Sequence, residues 1–322
     1  MNEKAISFIE NSFLSTLLVD KEITDISYNG VSFFYVHNEK GRLKANIEAT
    51  SEEVMNFIRQ LANYSENQFS YMMPELDVSI GKYRLNAMHS SIVRVENSKA
   101  CSFSLRIASK EMRIKSDSSF IPKECETFLT KCLENEESLV IAGPTGSGKT
   151  ELQKFLLSKL KENSRVIVID NIQELENLRQ FDKLDLTSWQ VSPTNPNASM
   201  QELIKNALRS NPDWLVVAEA RGKEMNDVLN SVMTGHPIIT TLHAKSLNAI
   251  PKRICRLIMS ADPTQKYEDI LDDVYEHIKY YVYLNRQYTK EKKVNRFIES
   301  IGELQKDGTM KTIYRRNTKW KR

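Results

Sequence analysis

No stretch of this 322-residue chain approaches the roughly 18–20 consecutive apolar residues that a membrane-spanning helix requires. The opening segment, MNEKAISFIENSFLSTLLVDKE, is interrupted by Glu3, Glu10 and Asp20 and carries no cleavage-site pattern, which argues against a secretory leader. Together these absences predict a cytoplasmic protein. Cysteine is scarce: Cys101, Cys125, Cys132 and Cys255 form no CxxC pair, so neither a zinc knuckle nor a dithiol redox motif is indicated. Cys125 and Cys132 are spaced to share one helix face, and all the cysteines are expected to be small buried side chains in a reducing compartment. Nothing repeats at a fixed period and no segment is of low complexity, which excludes solenoids.

What is present is ordinary globular composition, 40% hydrophobic and 27% charged, in a chain long enough for two domains. The net charge of +3 conceals an asymmetry. From Arg286 onward there are twelve Lys and Arg against four Asp and Glu, which leaves −5 on the rest. Such a basic segment suits acidic lipid, nucleic acid or an acidic partner, and a solvated tail is the plainer alternative.

Along the chain, Ile6, Ile9, Phe13, Leu14, Leu17 and Leu18 fall at helical spacing. ITDISYNG alternates and stops at Asn29-Gly30, a hairpin-turn pair, and VSFFYVHNEKGRL continues as strand with a turn near 38–41. SEEVMNFIRQLAN (51–63) is predicted helix with Ser51 as its cap, and LDVSIGKYRLNAMHS and CSFSLRI read as strands. Residues 1–110 therefore form an α+β domain. SKEMRIKSDSSFIP loses periodicity, so 111–122 reads as a linker. Beyond it, apolar runs alternate with helical patterns: LVIAG, helix 150–161, VIVID, helix 199–209, WLVVAEA, helix 223–233, IITTLHA. Short, wholly apolar runs are the mark of central parallel strands covered on both faces. Residues 123–322 are predicted to be an α/β domain, with 264–277 helical and the last three runs forming a β appendage.

Gly143, Pro144, Thr145, Gly146, Ser147, Gly148, Lys149 and Thr150 match GxxxxGK[ST] in full, after a strand and before a helix. The glycines let successive backbone N–H groups turn toward phosphate oxygens. Lys149 is placed to reach the β- and γ-phosphates of ATP, and the Thr150 hydroxyl to hold Mg²⁺. A second acid, Glu219, closes the apolar strand in LRSNPDWLVVAEAR, where a cation or the attacking water would justify its desolvation.

LRSNPDWLVVAEAR, TGHPIITTLHA and VIVIDNIQELE together resemble the conserved boxes of the secretion-ATPase superfamily, the traffic ATPases of type IV secretion, type II secretion and type IV pili. The resemblance spans about residues 20–310 and implies a RecA-like ATPase domain behind a smaller N-terminal domain. It implies Glu174 as catalytic base, Glu219 as the second acid and His243 as the histidine of a sensing box. From GKYRLNA and FSLRI it implies Arg84 and Arg106 as phosphate-reaching arginines of the first domain. His37, His89, His236 and His277 are expected to be structural. Departures exist: Asp170-Asn171 stands where the family usually has Glu-Asp, Gly222 replaces an Asp, Ala218 replaces a Gly, and HSSIVR lacks the usual prolines.

The implied function is a homohexameric motor using ATP and Mg²⁺ at the inner face of the cytoplasmic membrane. It would dock on a membrane-embedded secretion or conjugation machine. A single N-terminal domain and the absence of a four-cysteine insertion favour the type IV secretion branch, whereas the tight TGHPIITTLHA spacing resembles pilus and Tad-type motors. A P-loop nucleic-acid translocase and a non-hydrolysing scaffold are the readings from other classes.

Overall fold

The computed structural model describes residues 2–109, 112–114, 119–171, 174–176, 181–192, 195–260, 262–289 and 293–316. These fall into two compact units, Met1–Ser109 with Tyr288–Asn295, and Lys110–Gln287 with Arg296–Arg322.

In the first unit, α1 (Asn2–Glu10) and the short α2 (Ser15–Leu18) precede a hairpin of β1 (Ile23–Tyr28) and β2 (Phe33–His37). At its turn Gly30 takes φ +96° while the Asn29 side-chain oxygen accepts from the N–H groups of Val31 and Ser32. After β3 (Gly41–Lys44) comes α3 (Ser51–Tyr64), whose cap is Thr50 rather than Ser51. The Thr50 hydroxyl accepts from the Glu53 N–H and the Glu53 carboxylate from the Thr50 N–H, a reciprocal capping box. β4 (Glu75–Ile80), β5 (Tyr83–Met88), the small β6 (Arg94–Val95) and β7 (Ser98–Lys99) ribbon, and β8 (Ser102–Ile107) complete it. The main sheet is antiparallel in the order β3-β2-β1-β8-β5-β4. Alternation buries Val78, Leu85 and Leu105 against Phe57, Ile58 and Leu61 of α3. The opposite face keeps its charges.

The second unit opens with described residues of the expected linker. Phe120 and Ile121 are buried in this unit's core, Met112 and Ile114 pack on it, and the Arg113 N–H donates to Glu151 at 2.7 Å. Four apolar side chains in an otherwise aperiodic stretch account for that docking. Then follow α4 (Lys123–Glu134), β9 (Leu139–Ala142), α5 (Lys149–Leu157), β10 (Arg165–Asp170), β11 (Asp185–Gln190), α6 (Met200–Leu208), β12 (Trp214–Val217) and α7 (Glu224–Met233). The unit ends with β13 (Ile238–Leu242), α8 (Ile250–Met259), α9 (Tyr267–His277), β14 (Tyr280–Tyr288), β15 (Val294–Leu304) and β16 (Met310–Arg315), of which Tyr288, Val294 and Asn295 count with the first unit.

The eight strands form one sheet ordered β11-β10-β12-β13-β9-β14-β15-β16. β11 through β14 pair in parallel, and β16 runs antiparallel to β15. The three C-terminal strands thus extend the central sheet instead of forming a separate appendage, because the apolar run of β14 finds a free edge beside β9. Strand parity divides the core. Leu139 and Ile141 of β9 pack on α4 and α5, whereas Val140 and Ala142 face the layer of α6, α7, α8 and α9. Burying each of Leu139, Val140 and Ile141 contributes about 1.5–3 kcal/mol. All the cysteines are buried and free, and burial pushes the Cys125 and Cys132 thiols up to about 12. No helix among the described residues is long and apolar enough to cross a membrane.

Candidate active site

In the order β10-β12-β13-β9, four parallel strands deliver their C-terminal ends to one edge of the second sheet. That edge is where open α/β sheets bind ligands. Asp170 ends β10, Glu219 follows β12, His243 follows β13 and the glycine loop follows β9.

The loop owes its shape to its glycines. Gly146 and Gly148 take φ of +72° and +93°, and Gly148 is the N-terminal cap of α5. A side chain at Gly143 would stand 2.5 Å from the Leu284 carbonyl oxygen. The backbone therefore bends inward at the positive end of α5, a cradle suited to an anion. Lys149 supplies the matching charge. Its side chain is buried, and Nζ donates to the carbonyls of Gly143 at 3.2 Å and Pro144 at 3.4 Å. An ammonium held in a glycine cradle by carbonyl dipoles is arranged for exchange onto phosphate oxygens. The residues thus fit a nucleotide phosphate chain.

From Lys149 a contact chain runs outward. His243 Nδ1 lies 3.4 Å from Lys149 Nζ and 3.1 Å from the Gly143 carbonyl oxygen. Its Nε2 lies 2.9 Å from Glu219 Oε1, and Glu219 Oε2 accepts from Arg221 at 2.7 Å. Burial pushes the Glu219 carboxyl up, yet its contacts with His243 and Arg221 outweigh burial and hold it down at about 2.

Glu174 follows β10 by four residues. Its N–H donates to the Asp170 carboxylate at 2.8 Å, and both side chains are buried. The first acid of the box thus anchors the backbone of the last. Gly222, in the place of the family's usual Asp, donates its N–H to Glu224 Oε1 at 2.9 Å in the first turn of α7. Thr150 lies in the first turn of α5. The structure therefore joins Lys149, His243 and Glu219 by direct contact and sets Glu174 on the same sheet edge.

Arg84 and Arg106 belong to the first unit. They stand directly opposite each other on β5 and β8, so they share one face, with Asp25 opposite Arg106 on β1. Arg84 is paired with Asp77 at 2.9 Å.

Sequence reasoning missed two arginines beside the loop. Arg296 Nε donates to the Gly146 carbonyl at 2.8 Å, and Arg286 Nη1 lies 2.8 Å from where a Cβ on Gly146 would stand. Both were visible only as part of a basic C-terminal count. That β14 lies next to β9 is a property of strand order, which spacing does not encode.

The family model described as Type II/IV secretion system protein matches residues 83–277. The chain belongs to this family. An uncharacterized protein of Bacillus anthracis is 28% identical, over 95% of this chain and 72% of its own length. The type IV secretion system protein VirB11 of Bartonella henselae is 25% identical, over 77% of this chain and 80% of its own length. Two uncharacterized proteins of Methanocaldococcus jannaschii are matched over only 40% and 32% of their own length. Among solved structures, the Legionella pneumophila ATPase DotB superposes with a TM-score of 0.66, at 20% identity, over 95% of this chain and 80% of that one. At that identity the likeness is one of fold.

Proposed function

We propose that this chain is a type IV secretion ATPase that hydrolyses ATP with Mg²⁺ as a homohexameric ring at the inner face of the cytoplasmic membrane. The observation that carries the reading is the Lys149–His243–Glu219 contact chain set on a glycine cradle, in a chain of the secretion family. The similarity to VirB11 over most of both chains supports the type IV branch.

In this reading the loop N–H groups and Lys149 take the β- and γ-phosphate oxygens, Lys149 leaving the carbonyls of Gly143 and Pro144. The Thr150 hydroxyl and Glu219 would hold Mg²⁺, which when bound neutralises phosphate charge. Glu174 orients the attacking water and takes its proton. The water oxygen bonds to the γ-phosphorus while the bond to the bridging oxygen breaks, giving ADP and phosphate. His243, touching Lys149, is moved when that ammonium moves, and so senses the γ-phosphate. Arg84 and Arg106 bring positive charge as the first unit closes on the nucleotide. The basic C-terminal segment is a contact for acidic lipid, and the partners are a membrane-embedded secretion machine and further copies of this chain.

Phosphate release from ATP tests the reading, with solution mass measured in the presence of a non-hydrolysable analogue. The wild-type chain is expected to turn over and to reach six subunits, and Lys149→Ala to lose turnover. Equal turnover in Lys149→Ala, or none in the wild type, would reject an ATPase centred on this loop.

A further inference from the structure

Leu284 and Arg286 of β14 and Arg296 of β15 line one side of the glycine loop. β14 pairs with β9 up to Tyr283 opposite Ala142, where β9 turns into the loop. β14 continues beyond Tyr283, and its next residues run alongside the loop. Leu284 meets Gly143 and Arg286 meets Gly146 in succession. The backbone of Arg286 is fixed, because its N–H donates to Asn285 Oδ1 at 2.8 Å and the Asn285 amide donates to Glu299. From β15, Arg296 Nε donates to the Gly146 carbonyl, and its Cδ lies 3.8 Å from where a Cβ on Gly148 would stand.

Two guanidinium groups thus flank the loop apex from the side opposite Glu219 and His243. β12 and β13 lie on one side of β9, and β14 and β15 lie on the other. The hydrolytic groups occupy the first side. A guanidinium is cationic at any working pH and offers a planar fork that matches phosphate oxygens. The residues matched by the family model end at His277, ahead of both arginines.

We propose that Arg286 binds a nucleotide phosphate that ADP and ATP share, and that Arg296 is a positioning residue that fixes the Gly146 carbonyl and so aims the loop N–H groups inward. This rests on reading the loop as an ATP site.

The test is equilibrium binding of ADP and of a non-hydrolysable ATP analogue to the full chain, for wild type, Arg286→Ala, Arg286→Lys, Arg296→Ala and Lys149→Ala. Thermal midpoints serve as the folding control. Losing a charge-assisted hydrogen bond is worth about tenfold or more in affinity. Arg286→Ala is expected to weaken ADP and the analogue by the same factor, with Arg286→Lys recovering part of the loss. Arg296→Ala is expected to weaken both nucleotides with its thermal midpoint unmoved. Unchanged affinity in Arg286→Ala beside lost affinity in Lys149→Ala overturns this inference and leaves the ATP site standing. A loss confined to the ATP analogue also overturns it, because the contact would then be to the γ-phosphate. A folded wild-type chain that binds neither nucleotide overturns both readings.

Discussion

A carboxylate held at about 2 is a weak proton acceptor at neutral pH, and Glu219 is in that state. Its contacts with His243 and Arg221 keep it anionic and oriented, so the base is better sought in Glu174. The same shift has a consequence for stability. A carboxyl lowered on folding stabilises the folded chain above its unfolded value, and that contribution is lost as pH falls through the folded one. The stability difference between wild type and Glu219→Gln should therefore be full above about pH 5 and shrink toward pH 2, as urea midpoints measured across that range would show. A difference independent of pH would mean that packing, not charge, sets the cost. Glu219 was legible in sequence as a carboxylate closing an apolar run, and Glu174 only through the resemblance of VIVIDNIQELE. Their partners were not, because the contacts among His243, Lys149 and Glu219 join residues from three different strand ends.

At the scale of elements, the glycine loop is tied to the segment before it through the first turn of α5. Lys154 is almost wholly buried at 1% exposure, with its ammonium 3.0 Å from Glu151 Oε1, while Glu151 Oε2 accepts from the Arg113 N–H. Glu151→Ala removes one partner of this buried ammonium and should lower unfolding stability by about 1–3 kcal/mol in denaturant titrations. A loss below about 1 kcal/mol would show that the ammonium is satisfied elsewhere. Neighbours one turn apart with nothing to mark them as buried concealed this anchor. The apolar runs of β9, β10, β12 and β13 were readable because strands covered on both faces need no polar side. β11 was passed over: DLTSWQ is an edge strand, half exposed and weakly patterned. α8 also escaped, although its isoleucines and leucines recur at helical spacing.

For the whole molecule, the chain passes between units at 109/110, 287/288 and 295/296, so more than one connection joins them. The sequence suggested only the first of these, since a strand pair contributing its tip to another unit leaves no compositional trace. Arg84 and Arg106, opposed on one face of the first sheet, are proposed to act when the units close. Arg84→Ala and Arg106→Ala should each lower kcat for ATP by roughly tenfold or more while the thermal midpoint holds. Unchanged kcat in both would remove the first unit from catalysis. The measurement that bears most directly on the proposed chemistry is phosphate release at saturating ATP by Glu174→Gln, with analogue affinity measured alongside. The expected result is retained affinity with turnover reduced by about 10²–10⁴-fold. Turnover near that of the wild type would contradict it and move the base away from Glu174.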